Sequence, residues 1–291
     1  MGINRRTFLK LSGLVAAGSL VGGISPGAAA QNAPAGIPAL GAKAMLNDSS
    51  KCIGCLSCAI ACKKANGLPD TYQYSPVTNG STWTTVKFGQ PTDKSLKNNT
   101  KIQCMHCNQA SCVAVCPTGA ARKRDDGIVL IDQETCIGCG YCVLACPFKV
   151  PGKSEETGTA RKCTFCEKRL GEGKITACAE ACPAGAIEFG NYDDLMAKAQ
   201  KRVELLKTNG APNAVVYGQK ELGGLKVIYV MPEEPGANGI PGKPKPATGD
   251  SLLKWFSGLA MAGFLVSSPL RNIFKADEEA VAGSKGVNKD D

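Results

Sequence analysis

The stretch Cys136-Ile137-Gly138-Cys139-Gly140-Tyr141-Cys142-Val143-Leu144-Ala145-Cys146-Pro147 decides the fold of this 291-residue chain. Three cysteines recur at two-residue intervals, a fourth follows after three residues, and proline closes the run. Working outward, the pattern returns three times. Upstream it reads Cys52-x2-Cys55-x2-Cys58-x3-Cys62, with Lys63 where the proline would be. A stretched version reads Cys104-x2-Cys107-x4-Cys112-x3-Cys116-Pro117, and a longer one Cys163-x2-Cys166-x11-Cys178-x3-Cys182-Pro183. All 16 cysteines fall into these four groups, with none left over.

The spacing C-x2-C-x2-C-x3-C-P is the run by which bacterial ferredoxins hold an iron–sulfur cubane. A cubane requires four thiolates converging on four irons. Three cysteines at short intervals wrap a tight loop around one face, and the fourth points to the other cluster of a pair. Gly54, Gly138 and Gly140 let the backbone approach closely. Pro117, Pro147 and Pro183 lack an N–H and fix a turn just beyond.

Other uses of cysteine fit less well. Sixteen in 291 residues is below the roughly 8–10% of disulfide scaffolds, and the spacing repeats as a framework of bridges would not. All-cysteine zinc sites use two pairs divided by a longer insert, which only the fourth group resembles. With a single histidine, the chain cannot form a Rieske centre, a two-histidine zinc finger or bis-histidine haem. No C-x-x-C-H attaches a c-type haem. The lone His106 lies between Cys104 and Cys107, and the cysteine count leaves no iron for it, so a hydrogen bond beside the cluster or a surface contact is expected.

Asp126-Gly127 between two short apolar runs signals a hairpin joining groups two and three. They are expected to form one two-cluster unit over residues 101–150, with groups one and four, from residues 45–100 and 151–190, pairing around it. With its x11 spacer, the chain resembles the four-cluster iron–sulfur subunits of the molybdopterin oxidoreductase and membrane hydrogenase families. Gln103-Cys104-Met105-His106-Cys107, Ala181-Cys182-Pro183-Ala184-Gly185-Ala186-Ile187, Phe189-Gly190, Val216-Tyr217-Gly218 and Gly223-Gly224-Leu225-Lys226-Val227 are most similar to the hydrogenase branch. Formate dehydrogenase β subunits share much of this. The resemblance implies four [4Fe-4S] clusters, held by Cys52, Cys55, Cys58 and Cys182; by Cys163, Cys166, Cys178 and Cys62; by Cys104, Cys107, Cys112 and Cys146; and by Cys136, Cys139, Cys142 and Cys116. The fold class expected is α+β, two pseudo-symmetric ferredoxin-like lobes over residues 43–190, each with two clusters, plus a C-terminal transmembrane helix.

The flanks read as address and anchor. Residues 1–30 hold no acid, and Arg5-Arg6-Thr7-Phe8-Leu9-Lys10 followed by a mild apolar run resembles the twin-arginine export signal. Ala28-Ala29-Ala30 offers an A-x-A cleavage site. Residues 191–207 carry Leu195, Met196, Ala199, Val203 and Leu206 at helical spacing, with Asn191, Asp193 or Asp194 as caps, and residues 215–217 and 227–230 read as strands. This 191–231 segment is expected to cap the domain. Residues 232–250 contain nine glycines and prolines and read as a linker. Residues 252–270 carry one charge, Lys254, and at 1.5 Å per residue would span about 28 Å as a helix. The expected anchor is residues 251–270, and residues 271–291 form a charged tail.

No phosphate loop or nucleophile–base pair is present in the sequence, so no catalytic residue is assigned. The expected function is electron relay, with the cluster domain on the periplasmic side of the inner membrane. Its partners would be a catalytic nickel–iron hydrogenase subunit, or alternatively a formate dehydrogenase or other molybdopterin subunit, and a membrane quinone-reactive subunit. A zinc-stabilised assembly scaffold is the reading from another class. The +9 charge could suggest nucleic acid, but export argues against it. Without the leader's Arg5, Arg6 and Lys10 it falls to +6, and sixteen thiolates against four cores of charge about +2 bring the mature holoprotein to about −2.

Overall fold

The computed structural model describes residues 42–69, 74–89, 98–236 and 239–247. The leader, the apolar segment at 251–270 and the charged tail lie outside them. Among the described residues no helix is long and apolar enough to cross a membrane.

Sixteen strands and helices follow one another among the described residues: β1 (Lys43–Asp48), α1 (Ser57–Ala65), β2 (Thr84–Lys87), β3 (Thr100–Gln103), α2 (Ser111–Ala114), β4 (Ala121–Lys123), β5 (Val129–Ile131), α3 (Tyr141–Ala145), β6 (Gly152–Lys153), β7 (Ala160–Arg161), α4 (Glu167–Gly171), α5 (Ala177–Glu180), β8 (Ile187–Asn191), α6 (Tyr192–Thr208), β9 (Val215–Tyr217) and β10 (Val227–Met231). A 3₁₀ turn, Glu221–Gly223, lies between the last two strands.

The largest sheet runs β8-β1-β10-β9, with β1 parallel to β10 and antiparallel to β8. It joins the chain just before the first cysteine group to the chain just after the last. Both faces of β1 and β10 are covered, and successive residues point to opposite sides. Ala44, Leu46, Ile228 and Val230 pack under α6 with Leu195, Met196, Ala199, Val203 and Leu206. Met45, Val227, Tyr229 and Met231 turn the other way, into the core shared with the cysteines. The sequence expectation of a helix here holds, and the cap is Asn191, whose Oδ1 accepts from the Asp193 N–H at 2.9 Å. The strand following that helix does more than cover the domain, because β10 pairs beside β1 in the middle of the sheet.

Three two-stranded hairpins, β2-β3, β4-β5 and β6-β7, complete the strands. The Asp126-Gly127 signal is realised in β4-β5: Gly127 takes a left-handed φ of 81°, and Asp126 Oδ1 accepts from the Ile128 N–H at 3.0 Å. The Pro/Gly-rich stretch read as a linker behaves differently where it is described. Ile240 is buried in the core, the Tyr217 hydroxyl donates to the Pro241 carbonyl at 2.8 Å, and the Ala247 N–H donates to Ser111 Oγ at 3.0 Å. Prolines end secondary structure without preventing docking; their carbonyls still accept hydrogen bonds.

Candidate metal centre

Each cysteine group is a tight loop leading into a short helix. Cys58 and Cys62 lie on α1, Cys112 on α2, Cys142 on α3 and Cys178 on α5. α1 packs on α5 and α2 on α3, which brings group one to group four and group two to group three.

One backbone feature repeats in all four loops. The residue before the second cysteine is left-handed: Gly54 (φ 75°), His106 (47°), Gly138 (70°) and Phe165 (59°). Glycine takes this conformation without steric cost. The cysteine spacing marks the glycines for a close approach, but nothing local in the sequence signals that His106 and Phe165 adopt the same turn. Such turns aim successive N–H groups into one concavity, suited to a negatively charged group. Several N–H groups do reach sulfur: Ala121 N to Cys116 Sγ at 3.3 Å, and Ala160 N to Cys136 Sγ and Phe165 N to Cys163 Sγ, both at 3.4 Å.

Three cavities are each lined by four cysteines. The first, about 430 Å³ including its opening to solvent, is lined by Cys52, Cys55, Cys58 and Cys182. The second, about 300 Å³, has Cys62, Cys163, Cys166 and Cys178. The third, about 360 Å³, has Cys104, Cys107, Cys112 and Cys146. Cys116, Cys136, Cys139 and Cys142 form the fourth set: burial first, then the neighbouring Cys136, Cys139 and Cys116, push the Cys142 thiol up to about 11. All sixteen cysteines are free of disulfides. Among the described residues no three Cys, His, Asp or Glu side chains close around a single metal ion.

The four sets form a row. Burial raises Cys58, Cys163 and Cys112 each to about 12, and in each case a thiol of the next set contributes. Cys58 feels Cys178, Cys163 feels Cys104, and Cys112 feels Cys142. Contacts give the order from the Cys52 set through the Cys163 and Cys104 sets to the Cys136 set: α1 packs on α5, Lys162 lines the third cavity and donates to the Cys163 carbonyl at 3.1 Å, and α2 packs on α3.

Charge inside the domain is one-sided. Among the described residues Lys63, Lys101, Lys162 and Lys226 are buried, against one buried carboxylate, Asp48, which Arg202 already pairs at 3.0 Å. Burial works against the Lys101 ammonium, but Cys178, Cys58, Cys163 and Cys62 outweigh it and hold its pKa above the ordinary lysine value. His106 is 1% exposed, so the expectation of a surface contact gives way to a buried ring. Its Nδ1 accepts from the Val129 N–H at 3.0 Å, which places the proton on Nε2. Nε2 has no hydrogen-bond partner among the described residues. Burial, then the charges of Lys162, Lys226 and Lys101, hold the ring neutral.

Four thiols per set, N–H groups directed at sulfur and buried ammonium groups fit a bulky anionic iron–sulfur group and define a ferredoxin-type protein. The 4Fe-4S dicluster domain family matches residues 98–192, which hold groups two, three and four. The chain is 37% identical over 239 residues to the nitrate-inducible formate dehydrogenase iron-sulfur subunit of Escherichia coli, covering 77% of this chain and 81% of that one. It is 35% identical over 274 residues to the hydrogenase-2 operon protein HybA of E. coli O157:H7, covering 78% and 80%. It is 40% identical over 153 residues to the thiosulfate reductase electron transfer subunit PhsB of Salmonella typhi, covering 52% and 76%. The chain belongs to this family of [4Fe-4S] iron–sulfur subunits of oxidoreductases, and it relays electrons.

Proposed function

We propose that the chain holds four [4Fe-4S] clusters in one row and carries electrons between a catalytic subunit and a quinone-reactive membrane subunit. The observation that carries this is the assembly of sixteen cysteines into four adjoining sets. Cys52, Cys55, Cys58 and Cys182 hold the first cluster, and Cys62, Cys163, Cys166 and Cys178 the second. Cys104, Cys107, Cys112 and Cys146 hold the third, and Cys116, Cys136, Cys139 and Cys142 the fourth. Groups one and four thus make one ferredoxin-like lobe and groups two and three the other. The clusters supply one-electron redox chemistry; the chain excludes water, aims N–H groups at sulfur and fixes the spacing.

The two ends of the row are the electron ports. Cys55 and Cys139 are the exposed cysteines, one in each terminal set. Large apolar side chains stand exposed near them in the chain: Ile53 two residues before Cys55, and Ile137, Tyr141 and Leu144 within five residues of Cys139. Such clustering marks surfaces that partners cover. The twin-arginine leader places the domain on the periplasmic side, and residues 251–270 anchor it.

For the catalytic partner we propose a nickel–iron hydrogenase subunit, on the stretches shared with that branch. A formate dehydrogenase subunit is the second reading, favoured by the 37% identity to a formate dehydrogenase relative over 81% of its length. Purifying the intact membrane complex and measuring its metals separates them: nickel supports the first and molybdenum the second. About 16 iron per chain, with broad absorbance near roughly 400 nm bleached by dithionite, is expected for the relay chain itself. A colourless chain loaded with zinc would overturn the relay in favour of a scaffold.

A further inference from the structure

Two buried lysines occupy the joints of the row. Lys101 is 3% exposed; it lines the first cavity, and its Nζ lies 3.9 Å from the Met45 sulfur, which lines the second. Lys162, also 3% exposed, lines the third cavity. Its Nζ donates to the Val129 carbonyl and, at 3.1 Å, to the carbonyl of Cys163, a member of the second set. Neither lysine has a carboxylate within ion-pair reach among the described residues; the recorded ion pairs involve other side chains.

An ammonium buried without a counter-charge is strongly destabilising. The negative charge available to both lysines is that of the cysteine sets on either side. Alkyl side chains would fill the same volume without that cost, so a packing role alone does not explain the choice of lysine at both joints. We propose that Lys101 and Lys162 are fixed positive charges between successive clusters, Lys101 between the first and second and Lys162 between the second and third, and that each raises the reduction potentials of the two clusters it flanks. The physical reason is that reduction adds one negative charge to a cluster, and a nearby cation in a low-dielectric interior stabilises the reduced form. The row is then graded: the second cluster is raised by two lysines, the first and third by one each, and the fourth by neither.

This inference rests on the four-cluster reading, and the two are tested by different readouts. The full chain is purified with its clusters as the parent and as Lys101→Met and Lys162→Met, which keep most of the side-chain volume. Iron content tests the four-cluster reading: about 16 iron in the parent is required for it. Potentials, from redox titration followed by electron paramagnetic resonance, test the lysines. Lys101→Met is expected to move two of four potentials downward, each by at least tenfold in the one-electron equilibrium, or about 59 mV. Lys162→Met is expected to move two downward as well, one of them shared with the first variant. One potential stays in place in both. Unmoved potentials in an iron-replete variant, or four that move together, would overturn the assignment. Should Lys101→Met lose iron, Lys101→Arg decides. Full iron with potentials at parental values upholds a role for charge, and any other result overturns it.

Discussion

The rings of His106 and Phe165 meet edge to face with centroids 4.9 Å apart, and both residues hold left-handed backbone one position before the second cysteine of their groups. The other two groups place glycine at that position, Gly54 and Gly138. A left-handed residue bearing a Cβ costs about 1–2 kcal/mol. An edge-to-face pair returns about 0.5–1.5 kcal/mol beyond the burial of its area, and both rings are 1% exposed. The contact couples the loop tips of groups two and four, which contribute to the adjoining third and second sets.

Phe165→Ala should therefore cost about 3–5 kcal/mol, as for other buried aromatic truncations. Phe165→Gly loses the same ring and relieves the left-handed strain, so it should be no less stable than Phe165→Ala despite the flexibility of glycine. Denaturant melts of the two variants check this. A markedly less stable glycine variant would show that the turn is not strained.

Cysteines distant in sequence should fail together. Cys52→Ser and Cys182→Ser are expected to abolish the same paramagnetic signal, and Cys62→Ser to abolish the one lost in Cys163→Ser. If Cys62→Ser instead removes the Cys52 signal, the groups are self-contained and the exchanged fourth ligand is wrong.

Leu144 is 86% exposed on α3. Leu144→Glu should leave stability within about 0.5 kcal/mol of the parent, as for ordinary surface changes. Recovery of the chain with its membrane or catalytic partner should fall. Full recovery of the complex, measured by affinity purification, would remove this face from the interface.

Arg202 on α6 reaches across to β1: Nε donates to Asp48 Oδ2 at 3.0 Å, and Nη2 donates to Ser50 Oγ at 3.0 Å. Asp48 is 4% exposed, so Arg202→Ala leaves a buried carboxylate short of a partner. A loss of about 1–3 kcal/mol is expected, read from thermal or denaturant melting. Lys51, 3.8 Å from Asp48, limits the damage.

Asn191→Ala removes the side-chain cap of α6 and should cost about 1 kcal/mol. Asn191→Asp keeps the acceptor oxygen and adds charge at the positive end of the helix, so it should hold or gain stability. A melting series on the two variants distinguishes the cap from an effect of side-chain size.

Much of the site is legible in the sequence. Cysteine spacing is a local property, and the three-residue step to the fourth cysteine already points it away from its own loop. The helix at Tyr192–Thr208 was equally plain, because apolar spacing and a capping asparagine lie within one contiguous stretch. The insertion of β10 beside β1 was not, since it joins Met45 to Val227 across most of the chain. Nor was the docking of the Pro/Gly-rich stretch, where burial of Ile240 depends on a surface built by distant segments.

By itself, then, the sequence determined the chemistry: sixteen thiols in four groups, spaced for cubanes. Only the tertiary structure decided the order of the four sets, the left-handed turns at His106 and Phe165, and the lysines at the joints. Ligand spacing is set over a few residues of backbone. The field around a buried group is set by whatever the fold packs against it, and Lys101 and Lys162 each face a cysteine set far away in the chain, the Cys52 set for Lys101 and the Cys104 set for Lys162.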